Sequence, residues 1–252
     1  MPQVKPGKLR LDQLLVERGL VESRSRAQAL IMSGVVYSDD TRLDKPGQQV
    51  AADVALDIRG RDHPYVSRGG LKLAHAMECF GLGAEGRICL DVGSSTGGFT
   101  DVLLRAGAEA VYAVDVGRGQ LDWTLRNDPR VTVLEGVNAR HLSKSEIDRP
   151  PSMVVCDASF IGLRTVLPAA LALAVPGADL VALIKPQFEV GKGRVGKGGV
   201  VRDPALHDEV CETIRDWLAG EMGWRVVGIE QSPITGPKGN IEFLIVARKP
   251  DS

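Results

Sequence analysis

The sequence predicts an α/β protein in which a doubly wound sheet with an antiparallel last strand follows a small α+β domain. Residues 88–116 form one strand–loop–helix–strand pattern. Strand and helix patterns then alternate up to two final neighbouring strands, which is typical of a doubly wound sheet with an antiparallel edge. Residues 9–58 contain short helices and strands of their own. The predicted division is 1–60 for the small domain, 61–70 for the linker and 71–252 for the large domain.

Composition restricts the class of protein. A chain of 252 residues can hold one large domain and one small one. With 44% hydrophobic and 25% charged residues, a folded globular protein is expected rather than a disordered one. The net charge of −1 gives no global sign of nucleic-acid binding, so any basic surface must be local.

Membrane, secretory and metal functions are not expected. The N-terminus lacks a signal-peptide core, and Pro168, Pro176 and Asp179 interrupt the most apolar stretch, which excludes a membrane span. A cytoplasmic location is therefore predicted. The four cysteines are far apart and form no CxxC pair, so buried reduced thiols are expected, without disulfide or metal site, at Cys79, Cys89, Cys156 and Cys211.

The small domain is predicted to contain two helices and two strands. Leucines at helical spacing indicate a first helix that ends at Gly19, and a second begins at an N-cap, Ser23, and ends at Gly34. The strands are expected at 35–37 and 49–58. Residues 1–30 hold six Lys or Arg against three Asp or Glu, so the basic character lies in the first half of this domain.

The large domain follows a polar linker that contains glycine and proline, GRDHPYVSRGG. Helices are expected at 71–80, 99–106 and 209–218. Buried or alternating apolar runs predict strands at 88–92, 110–116, 131–134, 153–157, 179–185, 226–230 and 241–247.

The glycine-rich loop of the 88–116 unit indicates a nucleotide-like cofactor. The loop reads Gly93-Ser-Ser-Thr-Gly97-Gly98, with serine where a dinucleotide fingerprint has its second glycine. That glycine lets the backbone approach a pyrophosphate, so its absence disfavours a dinucleotide. Asp91 just before the loop favours a cationic ligand such as S-adenosylmethionine, and Asp115 ends the next strand where ribose hydroxyls bind. The alternative is a glycine-rich turn without a ligand.

The stretch DVGSSTGGFTD resembles the TlyA and FtsJ families of RNA 2′-O-methyltransferases. The resemblance implies the Rossmann-like fold of class I S-adenosylmethionine-dependent methyltransferases. It also implies S-adenosylmethionine as cofactor, with the binding residues Asp91, Gly93, Ser94, Ser95, Thr96, Gly97, Gly98, Phe99, Asp115, Asn138 and Asp157.

Four further contexts, VSRGGLKL, VVCDASF, ALIKPQFE and NIEFLIV, match the catalytic Lys-Asp-Lys-Glu tetrad of the FtsJ-like enzymes. The matching residues are Lys72, Asp157, Lys185 and Glu242. A ribose 2′-hydroxyl is a poor nucleophile, and a lysine can take its proton only if the lysine pKa falls well below about 10.4. We expect the nearness of Lys72 and Lys185 to lower that pKa, with the two carboxylates holding the ammonium groups at some cost to the depression.

The run RLDQLLVERGLVESRSRAQALIMSGVVYSDD resembles the small RNA-binding domain named after the fourth protein of the small ribosomal subunit. The resemblance implies contacts with RNA backbone at Arg10, Arg24 and Arg26. The chain departs from that family at Ser38-Asp39-Asp40, where two acids would repel phosphate. The alternative is a solvated face on a small helical cap.

The loop GKGRVGKGGVVRD nearly matches a phosphate-binding P-loop, but Gly198 stands where a Mg²⁺-binding hydroxyl is required. Residues 185–202 carry five Lys or Arg against one Glu. We therefore predict a mobile cationic active-site lid rather than an NTPase, with Lys192, Arg194 and Lys197 as RNA contacts.

The predicted function is 2′-O-methylation of ribose, in cytidine by family resemblance, with ribosomal RNA or ribosomal subunits as partner and no obligate protein partner. Members of the family are often labelled haemolysins, so a membrane-lytic protein is one alternative. The lack of an apolar span or basic amphipathic membrane helix argues against it. A non-catalytic cofactor-binding factor for ribosome assembly is the other alternative, and the intact tetrad argues against that.

Overall fold

A computed structural model of the chain describes residues 7–21, 23–59, 63–191, 193–196 and 198–251. The chain divides into two compact units between Tyr65 and Val66. Each unit has its own hydrophobic core, so the two are described separately. The predicted RNA contacts Lys192 and Lys197 lie outside the described residues.

The small unit contains two helices and five short strands. In chain order these are β1 (Lys8–Arg10), α1 (Leu11–Glu17), α2 (Arg24–Met32), β2 (Val36–Ser38), β3 (Thr41–Arg42), β4 (Gln49–Ala51) and β5 (Asp57–Ile58). β1 pairs with β4, and β2 lies between β3 and β5, all antiparallel. Ser23 caps α2 as predicted, with its hydroxyl accepting the Arg26 N–H at 3.2 Å.

The prediction of one strand over 49–58 is wrong. The backbone turns after Ala51, where the Val54 N–H donates to the Ala51 carbonyl at 3.0 Å. β4 and β5 on either side of this turn join different sheets. β1 was not predicted, because three residues are too few to produce a recognisable alternation.

The large unit alternates helices and strands, as predicted. Its elements are α3 (Gly69–Phe80), β6 (Ile88–Val92), α4 (Gly98–Arg105), β7 (Ala110–Asp115), α5 (Trp123–Arg126), β8 (Val131–Glu135), β9 (Met153–Cys156), α6 (Leu163–Val166), α7 (Pro168–Leu173), β10 (Asp179–Ile184), α8 (Pro186–Glu189), α9 (Pro204–Asp216), β11 (Arg225–Gln231) and β12 (Phe243–Arg248).

Seven of these strands form one sheet in the order β11-β12-β10-β9-β6-β7-β8. The neighbouring pairs from β10 to β8 are parallel, and β12 runs antiparallel to both β10 and β11. The doubly wound sheet with an antiparallel last strand is therefore confirmed. All six residues of β10 are buried, as expected for a strand covered on both faces.

Three expected boundaries shift. The last helix begins at Pro204 rather than at 209, because Asp203 caps it by accepting the Ala205 N–H at 3.0 Å. The helix after the linker begins two residues early, at Gly69. Glu242 precedes β12 instead of lying in the last strand.

The described cysteines are all free thiols, and three of them are buried, but Cys79 is exposed on α3, which corrects the expectation for that residue. In the described ranges no helix is long and apolar enough to cross a membrane. Nor do those ranges contain a group of three or more His, Cys, Asp or Glu side chains suited to a metal ion.

Candidate active site

A cavity of about 650 Å³ opens at the carboxyl ends of β6, β7 and β9. This is the edge where doubly wound sheets bind ligands. Gly93 and Ser95 line it from the glycine-rich loop, Asp115 from the end of β7 and Asn138 from the loop after β8. The segment 157–161 closes another side.

Asp115 is oriented by backbone donors on the cavity wall. Its Oδ2 accepts the Ser95 N–H at 2.8 Å, and its Oδ1 accepts the Gly117 N–H at 2.7 Å. These bonds aim the carboxylate while leaving each oxygen further lone pairs for a ligand hydroxyl. Asn138 is fixed in the same way, since its Oδ1 accepts the Arg140 N–H at 3.1 Å.

The glycine-rich loop packs against the protein at two of its three predicted positions. Gly97 has a φ of +93°, and a Cβ there would lie 2.3 Å from Cδ1 of Leu125. A Cβ on Gly98 would lie 2.4 Å from Oγ of Ser67. Both glycines therefore allow close packing of the chain on itself rather than approach of a ligand. The predicted cofactor residues that do not line the cavity are Asp91, Ser94, Thr96, Gly97, Gly98 and Phe99.

Asp91 lies behind the loop rather than on the cavity wall. Its side chain is fully buried, and its Oδ2 accepts the Thr100 hydroxyl at 2.7 Å. The other oxygen accepts no hydrogen bond from the described residues. Burial raises the pKa of Asp91 to about 7, against the opposing effect of the Thr100 bond.

Lys72, Asp157, Lys185 and Glu242 converge beside this cavity, and Asp157 is shared between the cavity and the cluster. The Lys185 Nζ lies 2.6 Å from Asp157 Oδ1. The Lys72 Nζ lies 3.3 Å from Asp157 Oδ2 and 2.8 Å from Glu242 Oε2. One carboxylate therefore stands between two ammonium groups, and the second carboxylate pairs with Lys72.

The sheet topology brings these four side chains together. Asp157 and Lys185 directly follow the adjacent parallel strands β9 and β10. Ile184 pairs with Phe243 in the antiparallel register, which sets Lys185 and Glu242 at the same edge. Lys72 comes from the first turns of α3 and is buried, as is Glu242.

The pKa of Lys72 is raised, which corrects the expectation of a lowered value. Burial by itself lowers the pKa of this ammonium group, but the charges of Asp157 and Glu242 and their hydrogen bonds outweigh the burial. Lys72 therefore stays protonated and works as a fixed positive charge.

Several residues of this site were not predicted. Ser159 accepts a hydrogen bond from Lys185 at 2.9 Å, and Gln187 donates one to Glu242 at 3.4 Å. Phe160 lines the cavity, is 90% exposed, and has a φ of +66°, which is a strained conformation for an aromatic residue. Its ring centroid lies 5.2 Å from that of Phe188. Their one sequence signal was position, since Ser159 and Phe160 closely follow Asp157.

The predicted RNA contacts have different surroundings. Arg10 and Arg24 both bond to Asp12 in the small unit. Arg194 is paired with Glu209, with 2.6 Å between Nη2 and Oε2. Asn240 ties part of the predicted lid to the loop before β12, since its Oδ1 accepts the Val201 N–H and its amide donates to the Gly199 carbonyl. The mobility of the lid stays a prediction.

Residues 65–249 match the FtsJ-like methyltransferase family, and residues 9–54 match the S4 domain. The chain is 50% identical over 240 residues to the 16S/23S rRNA (cytidine-2′-O)-methyltransferase TlyA of Mycobacterium tuberculosis, covering 95% of this chain and 89% of that one. It is 40% identical to Hemolysin A of Brachyspira hyodysenteriae, covering 94% and 98%. A solved structure named as a hemolysin, from Streptococcus thermophilus, matches with 44% identity and a TM-score of 0.76, covering 98% and 90%.

Proposed function

Because the chain belongs to the TlyA family of FtsJ-like methyltransferases, we propose that it methylates the ribose 2′-hydroxyl of a cytidine in ribosomal RNA. Relatives that share half of its residues carry this activity in their names. The observation that carries the proposal is the shared position of Asp157, which lines the cavity and pairs with both lysines. A ribosomal subunit as the RNA partner, and the cytoplasm as location, belong to the same proposal.

The cofactor is S-adenosylmethionine, and the residues around the cavity fit it. The volume of about 650 Å³ is in the range of small-molecule sites. Asp115 offers an oriented carboxylate for the ribose hydroxyls, Asn138 lies near the adenine side, and Asp157 gives a negative charge toward the cationic methionine part. When bound, the cofactor supplies an electrophilic methyl group.

The tetrad has a division of labour that follows from its ion pairs. Among the described residues, Lys72 pairs with two carboxylates and Lys185 with one. The proton on Lys185 is therefore held by fewer anions, and Lys72 on the far side of Asp157 draws on the same negative charge. Lys185 is the residue that accepts the proton of the 2′-hydroxyl. Lys72 and Glu242 keep Asp157 oriented.

Replacing Asp115 with alanine is expected to weaken S-adenosylmethionine binding by about 1.5–3 kcal/mol, because charge-assisted bonds to the ribose hydroxyls are lost. Isothermal titration calorimetry measures the affinity. The matched control is Asp148→Ala, an acid outside the cavity lining, which should bind normally. An unchanged affinity in Asp115→Ala would remove this residue from the cofactor site.

The S4 domain positions RNA through phosphate contacts in this proposal. Changing Arg10, Arg24 and Arg26 together to glutamine should weaken RNA binding and flatten its salt dependence by a slope of about one or more, since phosphate contacts release counterions. Cofactor affinity should stay unchanged. A slope equal to that of the unchanged protein would place the RNA surface elsewhere, for instance near Arg194.

The whole proposal is tested by tritium transfer from labelled S-adenosylmethionine to ribosomal RNA, followed by mapping of the methylated nucleotide. Methyl groups on cytidine ribose are expected. Labelling on a base, or on another nucleotide, would contradict the proposed substrate. Lysis of erythrocytes by the purified protein, with no methyl transfer, would support the hemolysin alternative instead.

A further inference from the structure

A buried carboxylate lies beneath the two predicted RNA-contact arginines of the small unit. Asp12, the second residue of α1, is 0% exposed. It accepts hydrogen bonds from Nε and Nη2 of Arg10 at 3.0 and 2.9 Å, from Nη2 of Arg24 at 3.0 Å and from Nε2 of Gln28 at 2.9 Å. These bonds hold the pKa of Asp12 well below its usual range, despite the opposing effect of burial.

The two guanidinium groups meet at a single oxygen, Oδ2 of Asp12. Two like charges so close would otherwise repel each other, and the shared carboxylate offsets that repulsion. The side chains of Arg10 and Arg24 are still 40% and 51% exposed. Each therefore has N–H groups left to donate outward, and the cluster keeps one net positive charge.

A second observation constrains Arg10. A Cβ on Gly47 would lie 3.2 Å from Arg10 Nη1, so the guanidinium packs against the backbone of this turn. The same turn receives the first N–H groups of α1, from Leu11 to the Gln48 carbonyl and from Asp12 to the Pro46 carbonyl. Arg10 is therefore confined between the buried carboxylate and the turn before RNA arrives.

We propose that Asp12 is a positioning residue that joins Arg10 and Arg24 into one preformed site for a single backbone phosphate of RNA. This inference rests on the proposed function, because RNA is the ligand that the S4 domain takes there. The divergent oxygens of one phosphate can accept from two neighbouring guanidinium groups. Side chains ordered during folding lose less freedom on binding, so the site gains affinity from preorganisation.

The first test depends on the sign of an effect. Asp12→Asn removes a negative charge from an RNA-binding face, so net charge alone predicts tighter binding. Positioning predicts the opposite, on the order of tenfold weaker binding, because the amide cannot accept from both arginines. Binding of a fluorescein-labelled RNA hairpin to the full chain measures it. Tighter or unchanged binding by a folded Asp12→Asn protein would overturn the proposal.

The second test leaves Asp12 in place. In Arg10→Gln and Arg24→Gln, each single change should lower the salt slope of hairpin binding by about one, and the double change should lower it no further. Arg26→Gln is the comparison, because Arg26 has no bond to Asp12 among those found and its effect should add to either. Additive loss for Arg10 and Arg24 would mean two independent phosphate contacts and would contradict a shared site.

These results separate the inference from the function on which it rests. If the triple arginine variant binds the hairpin as the unchanged protein does, the proposed RNA role of this face is wrong. If the triple variant binds weakly but the arginines act additively, only the shared site is wrong. Cofactor affinity and far-ultraviolet circular dichroism of each variant check that loss of RNA binding is not loss of folding.

Discussion

Replacing Lys185 with arginine is expected to slow methyl transfer almost as much as replacing it with alanine, by about 10²–10⁴-fold in each case. A guanidinium keeps the positive charge, but it does not release its proton at any working pH and has a different fork geometry. A residue that must accept the 2′-hydroxyl proton therefore cannot be replaced by arginine. Single-turnover rates with saturating S-adenosylmethionine measure the chemical step.

Two further measurements make the Lys185 test specific. Cofactor affinity should stay within a factor of about two in both variants, since Asp115 and Asn138 remain in place. The rate of the unchanged enzyme should rise with pH and then level off, because only the neutral amine can take the proton. A Lys185→Arg enzyme that turns over at a near-normal rate would end the general-base assignment and leave the tetrad as a positioning device.

Replacing Lys72 with methionine is expected to lower the free energy of unfolding by about 3–5 kcal/mol, because it leaves the fully buried carboxylate of Glu242 without its ammonium partner. The folded-state pKa of Lys72 is raised above the ordinary 10.5. Its stabilisation is therefore fully present below that ordinary value and is lost only as pH rises through the folded pKa. Urea unfolding near neutral pH should record the whole difference.

The matched control is the double variant Lys72→Met with Glu242→Gln. Removing both charges should recover about 1–3 kcal/mol of the lost stability, because no unpaired buried carboxylate remains at position 242. Methyl transfer should not recover, since Asp157 still lacks its second ammonium group. Equal stability of the single and double variants would show that Lys72 and Glu242 do not depend on each other.

Much of this protein could be predicted without its structure. The buried apolar run 179–184 and the alternation around it determine a doubly wound sheet, because a strand covered on both faces must be apolar throughout. Asp115, Asp157 and Lys185 could be assigned to one edge for a similar reason, since parallel strands present their carboxyl ends together. The Ser23 cap is also a local property, set by the hydroxyl and the amide three residues later.

Other features depend on which distant segments meet. Glycines 97 and 98 look like ligand-approach positions in the sequence, yet Leu125 and Ser67 occupy the space beside them. Phe160 becomes a cavity residue only because β9 ends at that edge.

The electrostatic state of the site was decided by tertiary structure alone. Two lysines, 113 positions apart in the sequence, suggest mutual repulsion and a lowered pKa. The fold instead places Asp157 between them and Glu242 beside Lys72, so that the pKa of Lys72 rises. In the small unit, likewise, Asp12 lies two residues from Arg10 in sequence, but only the packing of α2 on α1 brings Arg24 to the same oxygen. Sequence determines which charges are available, and the sign of a pKa shift depends on the distances between them.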